Sequence, residues 1–158
     1  MKLGFGLHGF TETMRGTWTP ADGSGRRVMW FRVEADAVSA LGYLRRGEMR
    51  LAGKMFVEGL AENVPTRGLL EVQPLSGRIA YRLDFVGDDD RSYRFSGEKS
   101  PSFRRLLGSM TTLPGEIVVA DAECIGTTLL RFDARRDLVS FLRTFRRSAP
   151  LRLEGERP

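Results

Sequence analysis

The sequence predicts a mainly β protein: a single antiparallel barrel of about eight or nine strands, followed by a C-terminal amphipathic α-helix. Three observations lead to this fold class. Most of the chain alternates apolar and polar residues with a period of two, which is typical of half-buried antiparallel strands. Glycines recur at or inside these segments, where a curling sheet has to bend. After Asp133 the apolar period becomes that of a helix.

The clearest strand covers residues 78–86, where apolar residues occupy every second position. Residues 87–90 (Gly-Asp-Asp-Asp) supply a turn, and residues 92–97 continue the apolar face as the second strand of a hairpin. The other predicted strands, in chain order, are residues 7–18, 26–34, 48–53, 54–62, 68–72, 116–121 and 126–132. So many short strands favour a closed barrel, because closure removes exposed sheet edges.

The helix is predicted over residues 134–147, directly after Asp133, which is suited to cap a helix N-terminus. Apolar residues recur there at helical spacing and form one stripe, made of Leu138, Phe141, Leu142 and Phe145. This helix should lie against the barrel or close one of its ends. Residues 34–44 and 101–107 are predicted to be shorter helical or irregular connections.

The length of 158 residues allows one ordinary domain, and 41% hydrophobic and 28% charged residues are usual for a globular fold. We therefore predict one domain over residues 1–150, which includes the helix, and a short frayed tail over residues 151–158. No stretch is long and apolar enough for a spanning helix, and no secretion signal is visible, so we expect a cytoplasmic protein.

The composition limits the chemistry that the chain can perform. It has one histidine (His8), one cysteine (Cys124) and one asparagine (Asn63), so it can build neither a cysteine-histidine zinc site nor an internal disulfide. Any imidazole catalysis would depend on His8 alone. Cys124 lies in an apolar stretch, which predicts a buried thiol. These limits favour a binding or accessory domain without a cofactor over an enzyme.

One acidic residue interrupts the apolar face of the first predicted strand. Glu12 shares this face with Met14 and Trp18, so it is carried inward if the apolar side faces the barrel interior. An unpaired buried carboxylate is costly, so Glu12 should hydrogen-bond a partner inside the barrel. An arginine, a tyrosine hydroxyl or a bound ligand could each be that partner.

Residues 8–16 read H-G-F-T-E-T-M-R-G and resemble the F-T-E-x-M-x-G opening of a small β-barrel domain. This domain occurs beside flavin-dependent oxidoreductases of the glucose-methanol-choline, cholesterol-oxidase-like (GMC) type. Similar stretches follow in the same order at residues 81–85, 93–99, 110–113 and 137–142, so the resemblance covers nearly the whole chain. It departs at residues 107–109, where the family prefers a tryptophan and an acid and this chain has Leu-Gly-Ser.

The resemblance implies a lipocalin-like or calycin-like barrel with no established catalytic residues. The flavin fingerprint belongs to the neighbouring oxidoreductase, so this chain would not carry the redox step. Together with the buried acid, the resemblance predicts a non-enzymatic module that binds a hydrophobic, lipid-like or sterol-like molecule. The predicted ligand-binding residues are Glu12, Tyr81 and Tyr93 as polar groups and Met14, Trp18, Trp30 and Phe95 as apolar lining.

The alternative is a module that binds an acidic protein surface, such as that of an oxidoreductase, or an anionic membrane. Most of the net charge of +5 comes from residues 131–158, and the contacts would be made by Arg136, Arg143 and Arg147 of the predicted helix. A solvated helix face would explain the same arginines. Nucleic-acid binding is a weaker interpretation, because the aromatic residues alternate into the predicted core and do not stand among arginines.

Overall fold

The computed structural model describes residues 11–35, 47–73, 78–99, 112–119 and 123–132. Within these ranges eight β-strands form one closed barrel. Each strand pairs antiparallel with the next one along the chain, and β8 pairs with β1 to close the barrel. The strands are β1 (Thr11–Pro20), β2 (Arg27–Ala35), β3 (Glu48–Val57), β4 (Ala61–Gln73), β5 (Arg78–Val86), β6 (Ser92–Lys99), β7 (Thr112–Val119) and β8 (Cys124–Phe132).

The mainly β class and the single closed antiparallel barrel are thus confirmed. The helix predicted over residues 134–147 and the tail over 151–158 lie outside the described residues, as does the connection predicted over 101–107. The connection predicted over 34–44 begins within β2, which extends to Ala35. The described part of the chain contains no helix of the length and hydropathy needed to cross a bilayer.

Two predicted strands, residues 48–53 and 54–62, are wrong as separate elements. Residues 48–57 form the single strand β3, a turn over 58–60 follows, and β4 then contains the strand predicted over 68–72. Gly53 does not end the strand. A Cβ at Gly53 would lie 1.9 Å from the carbonyl oxygen of Arg32, so this glycine marks a close approach between β3 and β2. The strand ends at the turn over 58–60, where Gly59 has a φ of 80°.

Cys124 is exposed, so the prediction of a buried thiol is wrong. Cys124 pairs with Val118 across β7 and β8, next to a shift of register. Val118 lies between Ile117 and Val119, which are both buried, so its own side chain points outward. The residue opposite Val118 therefore also lies on the outer face.

The middle of the barrel is filled by large side chains. Phe31 of β2 and Phe95 of β6 come from opposite sides of the barrel, and their ring centroids lie 5.6 Å apart. Both rings are fully buried. The same interior also contains the fully buried Met14, Met29, Met55 and Leu83. The barrel thus has a packed centre.

At one end, here called the hairpin end, short turns over residues 21–26, 58–60 and 87–91 join consecutive strands. The predicted turn over 87–90 is confirmed, with the amide of Gly87 bonded to the carbonyl of Arg91. At the other end, here called the distal end, β1, β3, β5 and β7 begin and β2, β4, β6 and β8 finish. Glu12 lies near the start of β1 and therefore at the distal end.

Candidate functional site

Glu12 and Tyr81 meet inside the distal end of the barrel. The hydroxyl of Tyr81 donates a hydrogen bond of 2.7 Å to the carboxylate Oε2 of Glu12. The two residues are 9% and 3% exposed. In a closed barrel of eight strands β1 and β5 lie opposite each other, so this bond connects opposite walls. The inward carboxylate of Glu12 is thus bonded to a tyrosine hydroxyl, which is one of the partners that the sequence allowed.

Strand alternation places both side chains inside. Glu12 shares its face with the buried Met14, and Tyr81 shares its face with the buried Leu83. Apolar side chains lie beside Tyr81: the ring centroid of Phe31 lies 6.0 Å from that of Tyr81, and Leu70 is the cross-strand neighbour of Tyr81. A phenol bonded to an acid thus lies next to the apolar core of the barrel.

This environment keeps Tyr81 protonated. Burial raises the pKa of the Tyr81 hydroxyl well above its ordinary value of 10.0, and the charge of Glu12 and the hydrogen bond to it act in the same direction. At neutral pH Tyr81 is therefore a hydrogen-bond donor and the Glu12 carboxylate is an acceptor. The arrangement can orient a group that both donates and accepts hydrogen bonds, such as a hydroxyl.

Met14 and Phe95, two residues of the predicted lining, are fully buried in the packed interior. Phe95 lies next to Phe31, whose ring also approaches Tyr81. Phe31 was absent from the predicted lining, although it alternates with Met29 and Val33 on the inward face of β2. That alternation was a signal that could have identified it.

Trp18 and Tyr93 lie toward the hairpin end, so they do not share a site with Glu12 and Tyr81. The indole N–H of Trp18 donates to the carbonyl oxygen of Glu58 in the β3–β4 turn, at 3.1 Å. The hydroxyl of Tyr93 donates to the carboxylate of Asp89 in the β5–β6 turn. Burial and the bond to Asp89 raise the pKa of Tyr93. These two side chains fix turns to the barrel wall.

The predicted place of Trp30 in the interior is wrong. Its neighbours Met29 and Phe31 are fully buried, so alternation turns the indole of Trp30 outward. There it stacks on Phe56 of β3, with ring centroids 5.9 Å apart and planes 10° apart. Three consecutive apolar residues obscure the alternation at this point, and the polar Arg32 and Glu34 further along the strand show its phase.

The remaining sequence-based candidates are not placed. Arg136, Arg143 and Arg147, predicted to bind a partner surface, lie outside the described residues, as does His8. Within the described ranges no group of three or more histidine, cysteine or acidic side chains could hold a metal ion. Comparison of the chain with known protein families, with curated proteins and with solved structures finds no match.

Proposed function

We propose that the protein is a non-enzymatic binding module for a lipid-like or sterol-like small molecule that carries a hydroxyl group. The observation that carries this proposal is the hydrogen bond between Tyr81 and Glu12, two buried residues at the distal end of the barrel. A ligand hydroxyl can replace this direct 2.7 Å bond by accepting a hydrogen bond from Tyr81 and donating one to Glu12, which requires the two side chains to move apart. Few polar groups in an apolar pocket are typical of small-molecule sites.

The packing of the barrel defines where such a molecule would lie. Eight strands enclose a space that side chains can fill or that one small ligand can occupy. The rings of Phe31 and Phe95 fill the middle, so the ligand belongs to the distal end, where Glu12 and Tyr81 are. Its apolar part would be surrounded by aliphatic residues such as Leu70 and Val33, the strand neighbours of Tyr81 and Glu12.

The chemistry of the pair favours binding over catalysis. Tyr81, with its raised pKa, holds its proton and is a poor base, and Glu12 accepts its bond. The resemblance of the sequence to barrel domains beside GMC oxidoreductases supports such a flavin enzyme as the physiological neighbour. In that arrangement this chain would hold the apolar molecule and the enzyme would perform the redox step.

A displacement experiment tests the proposal. The full chain is loaded with Nile red, a neutral apolar dye, and titrated with dodecanol or cholesterol and with the methyl ether of each. The ethers keep the apolar body but cannot donate to Glu12. We expect each alcohol to displace the dye at about tenfold lower concentration than its ether, as one hydrogen bond to a charged group implies.

Matched tyrosine variants supply the control. Tyr81→Phe should abolish the preference for the alcohols, whereas Tyr93→Phe should leave it unchanged, because Tyr93 bonds Asp89 at the hairpin end. The proposal is wrong if Nile red does not bind, if alcohols and ethers compete equally, or if both variants behave alike.

A further inference from the structure

The outer face of β8, β1, β2 and β3 places cations opposite one another. Arg15 of β1 pairs in register with Arg131 of β8, and Arg32 of β2 pairs with Lys54 of β3. All four side chains are exposed. Like charges directly opposite each other destabilise a sheet, so the pairing of Arg32 with Lys54 is unfavourable for the isolated barrel. We call this surface, together with the aromatic pair of Trp30 and Phe56, the basic aromatic face.

Apolar side chains lie among these cations, with Trp30 and Phe56 half-buried and Val28 and Leu129 exposed. Trp30 is the cross-strand neighbour of both Arg15 and Phe56. Along the same strands Val28 and Leu129 flank Thr17 on either side, and they are 51% and 46% exposed. With strands about 4.8 Å apart and about 3.3 Å per residue along each strand, the face measures about 15 by 13 Å.

On the other side of the barrel two arginines form salt bridges. Arg94 lies 2.7 Å from the carboxylate of Asp84, and Arg78 lies 2.7 Å from that of Glu98. On the basic aromatic face no carboxylate of the described chain lies within salt-bridge distance of Arg32, Lys54 or Arg131.

The acids nearest to the face lie at its margins. Glu34 stands at the distal edge, and the carboxylate of Glu58 at the hairpin edge accepts a 2.7 Å hydrogen bond from the amide of Val28. The positive charge of the face is therefore concentrated around Trp30 and Phe56.

We propose that the basic aromatic face docks on an anionic lipid surface. The cations would contact lipid headgroups, each adding attraction near a negatively charged leaflet. Trp30 would lie in the interfacial layer, the position that tryptophan prefers because its ring has a polar N–H, and Phe56 would add apolar contact beside it. Val28 and Leu129 would add apolar contact beside them.

A single-stranded nucleic acid is the competing partner. The sequence argued against it because the aromatic residues did not stand among arginines, but Trp30 and Phe56 do lie among cations. Two observations favour lipid. The exposed aliphatic side chains of Val28 and Leu129 offer no ring for a base. The rings of Trp30 and Phe56 already stack on each other, at an interplanar angle of 10°, so part of their stacking surface is used.

Vesicle sedimentation of the full chain tests this surface. Binding should occur with phosphatidylcholine vesicles that contain about 30% phosphatidylserine as the anionic lipid, should weaken with added salt, and should be absent with phosphatidylcholine alone. The double variant Arg32→Gln/Lys54→Gln should bind about tenfold more weakly. The matched control Arg50→Gln/Arg82→Gln removes the same charge from other exposed positions and should change binding less than about twofold.

Tryptophan fluorescence adds a readout of contact. The chain has two tryptophans, and Trp18 is buried at the hairpin end, so a blue shift on vesicle binding reports Trp30. Trp30→Phe should remove the shift. Equal losses in the two double variants would overturn the proposal, as would loss of binding only in Arg136→Gln/Arg143→Gln/Arg147→Gln. Absence of vesicle binding at low salt, or binding of oligothymidylate in its place, would also overturn it.

Discussion

Tyr81 on β5 donates a hydrogen bond across the barrel to Glu12 on β1, over a separation of 69 residues in the chain. The two strands share no backbone ladder, since each is paired with its own neighbours. The bond therefore ties opposite walls together through side chains alone. It gives a buried carboxylate a hydrogen-bond partner, and it holds a hydroxyl and a carboxylate side by side at one end of the barrel interior.

The coupling between Glu12 and Tyr81 can be measured with a double-mutant cycle. Glu12→Leu, Tyr81→Phe and the double variant should show a coupling free energy of about 1.5–3 kcal/mol in urea denaturation, the range for a hydrogen bond to a charged group. Glu12→Leu combined with Tyr93→Phe is the control, and it should be additive within about 0.5 kcal/mol. A coupling near zero for the first pair would mean that the bond does not contribute to stability.

The alkaline limb of the stability curve should depend on Tyr81. Its pKa is raised in the folded state, so the unfolded chain loses this proton first as pH rises. The contribution of the protonated Tyr81 to folding stability is complete below pH 10.0, the ordinary tyrosine pKa, and is lost as pH rises beyond it. Free energies of unfolding measured from pH 8 upward should fall less steeply in Tyr81→Phe than in the parent (about one proton's difference in slope). Identical slopes would contradict a buried, protonated Tyr81.

Gly53 should tolerate no side chain. The Cβ of an alanine there would lie 1.9 Å from the carbonyl oxygen of Arg32, which is backbone and cannot turn away. Gly53→Ala should therefore destabilise the barrel by at least about 3 kcal/mol. Gly25→Ala is the comparison, because Gly25 has a positive φ of 99° and open space around it. Its cost should be about 1–2 kcal/mol, from backbone strain alone. Equal thermal stabilities would refute the close approach of β2 and β3.

The outward position of Trp30 is accessible to quenching. Acrylamide should quench the emission of Trp18→Phe, which retains Trp30, several-fold more efficiently than that of Trp30→Phe, which retains the buried Trp18. Circular dichroism checks that both variants keep the β fold. Weak quenching of Trp30 would place its ring inside the barrel, as the sequence had suggested.

The sequence predicted features that depend on local alternation. The strand Arg78–Val86 was predicted with its observed bounds, because its alternation is uninterrupted and a turn follows. Glu12 was placed inward, with the need for a partner, for the same reason. Its contact with Tyr81 could not be predicted. It joins strands that are not neighbours, and their relative height depends on how the barrel closes.

The errors arose where alternation is ambiguous. Met29, Trp30 and Phe31 are all apolar, and only the polar Arg32 and Glu34 further along β2 show that Trp30 shares the outward face. Gly53 was interpreted as a boundary, although it allows two strands to approach closely. Cys124 lies beside a shift of register, and such a shift changes which face a residue occupies without any mark in the hydropathy pattern.

Native mass spectrometry of the protein purified from its own host tests the proposed function most directly. We expect a retained apolar molecule with a hydroxyl group on the parent protein and on Tyr93→Phe, and its loss from the double variant Glu12→Gln/Tyr81→Phe. A clean mass of the unliganded chain would contradict the proposal. So would a molecule retained equally by the parent and by the double variant, because the Glu12–Tyr81 pair would then not hold it.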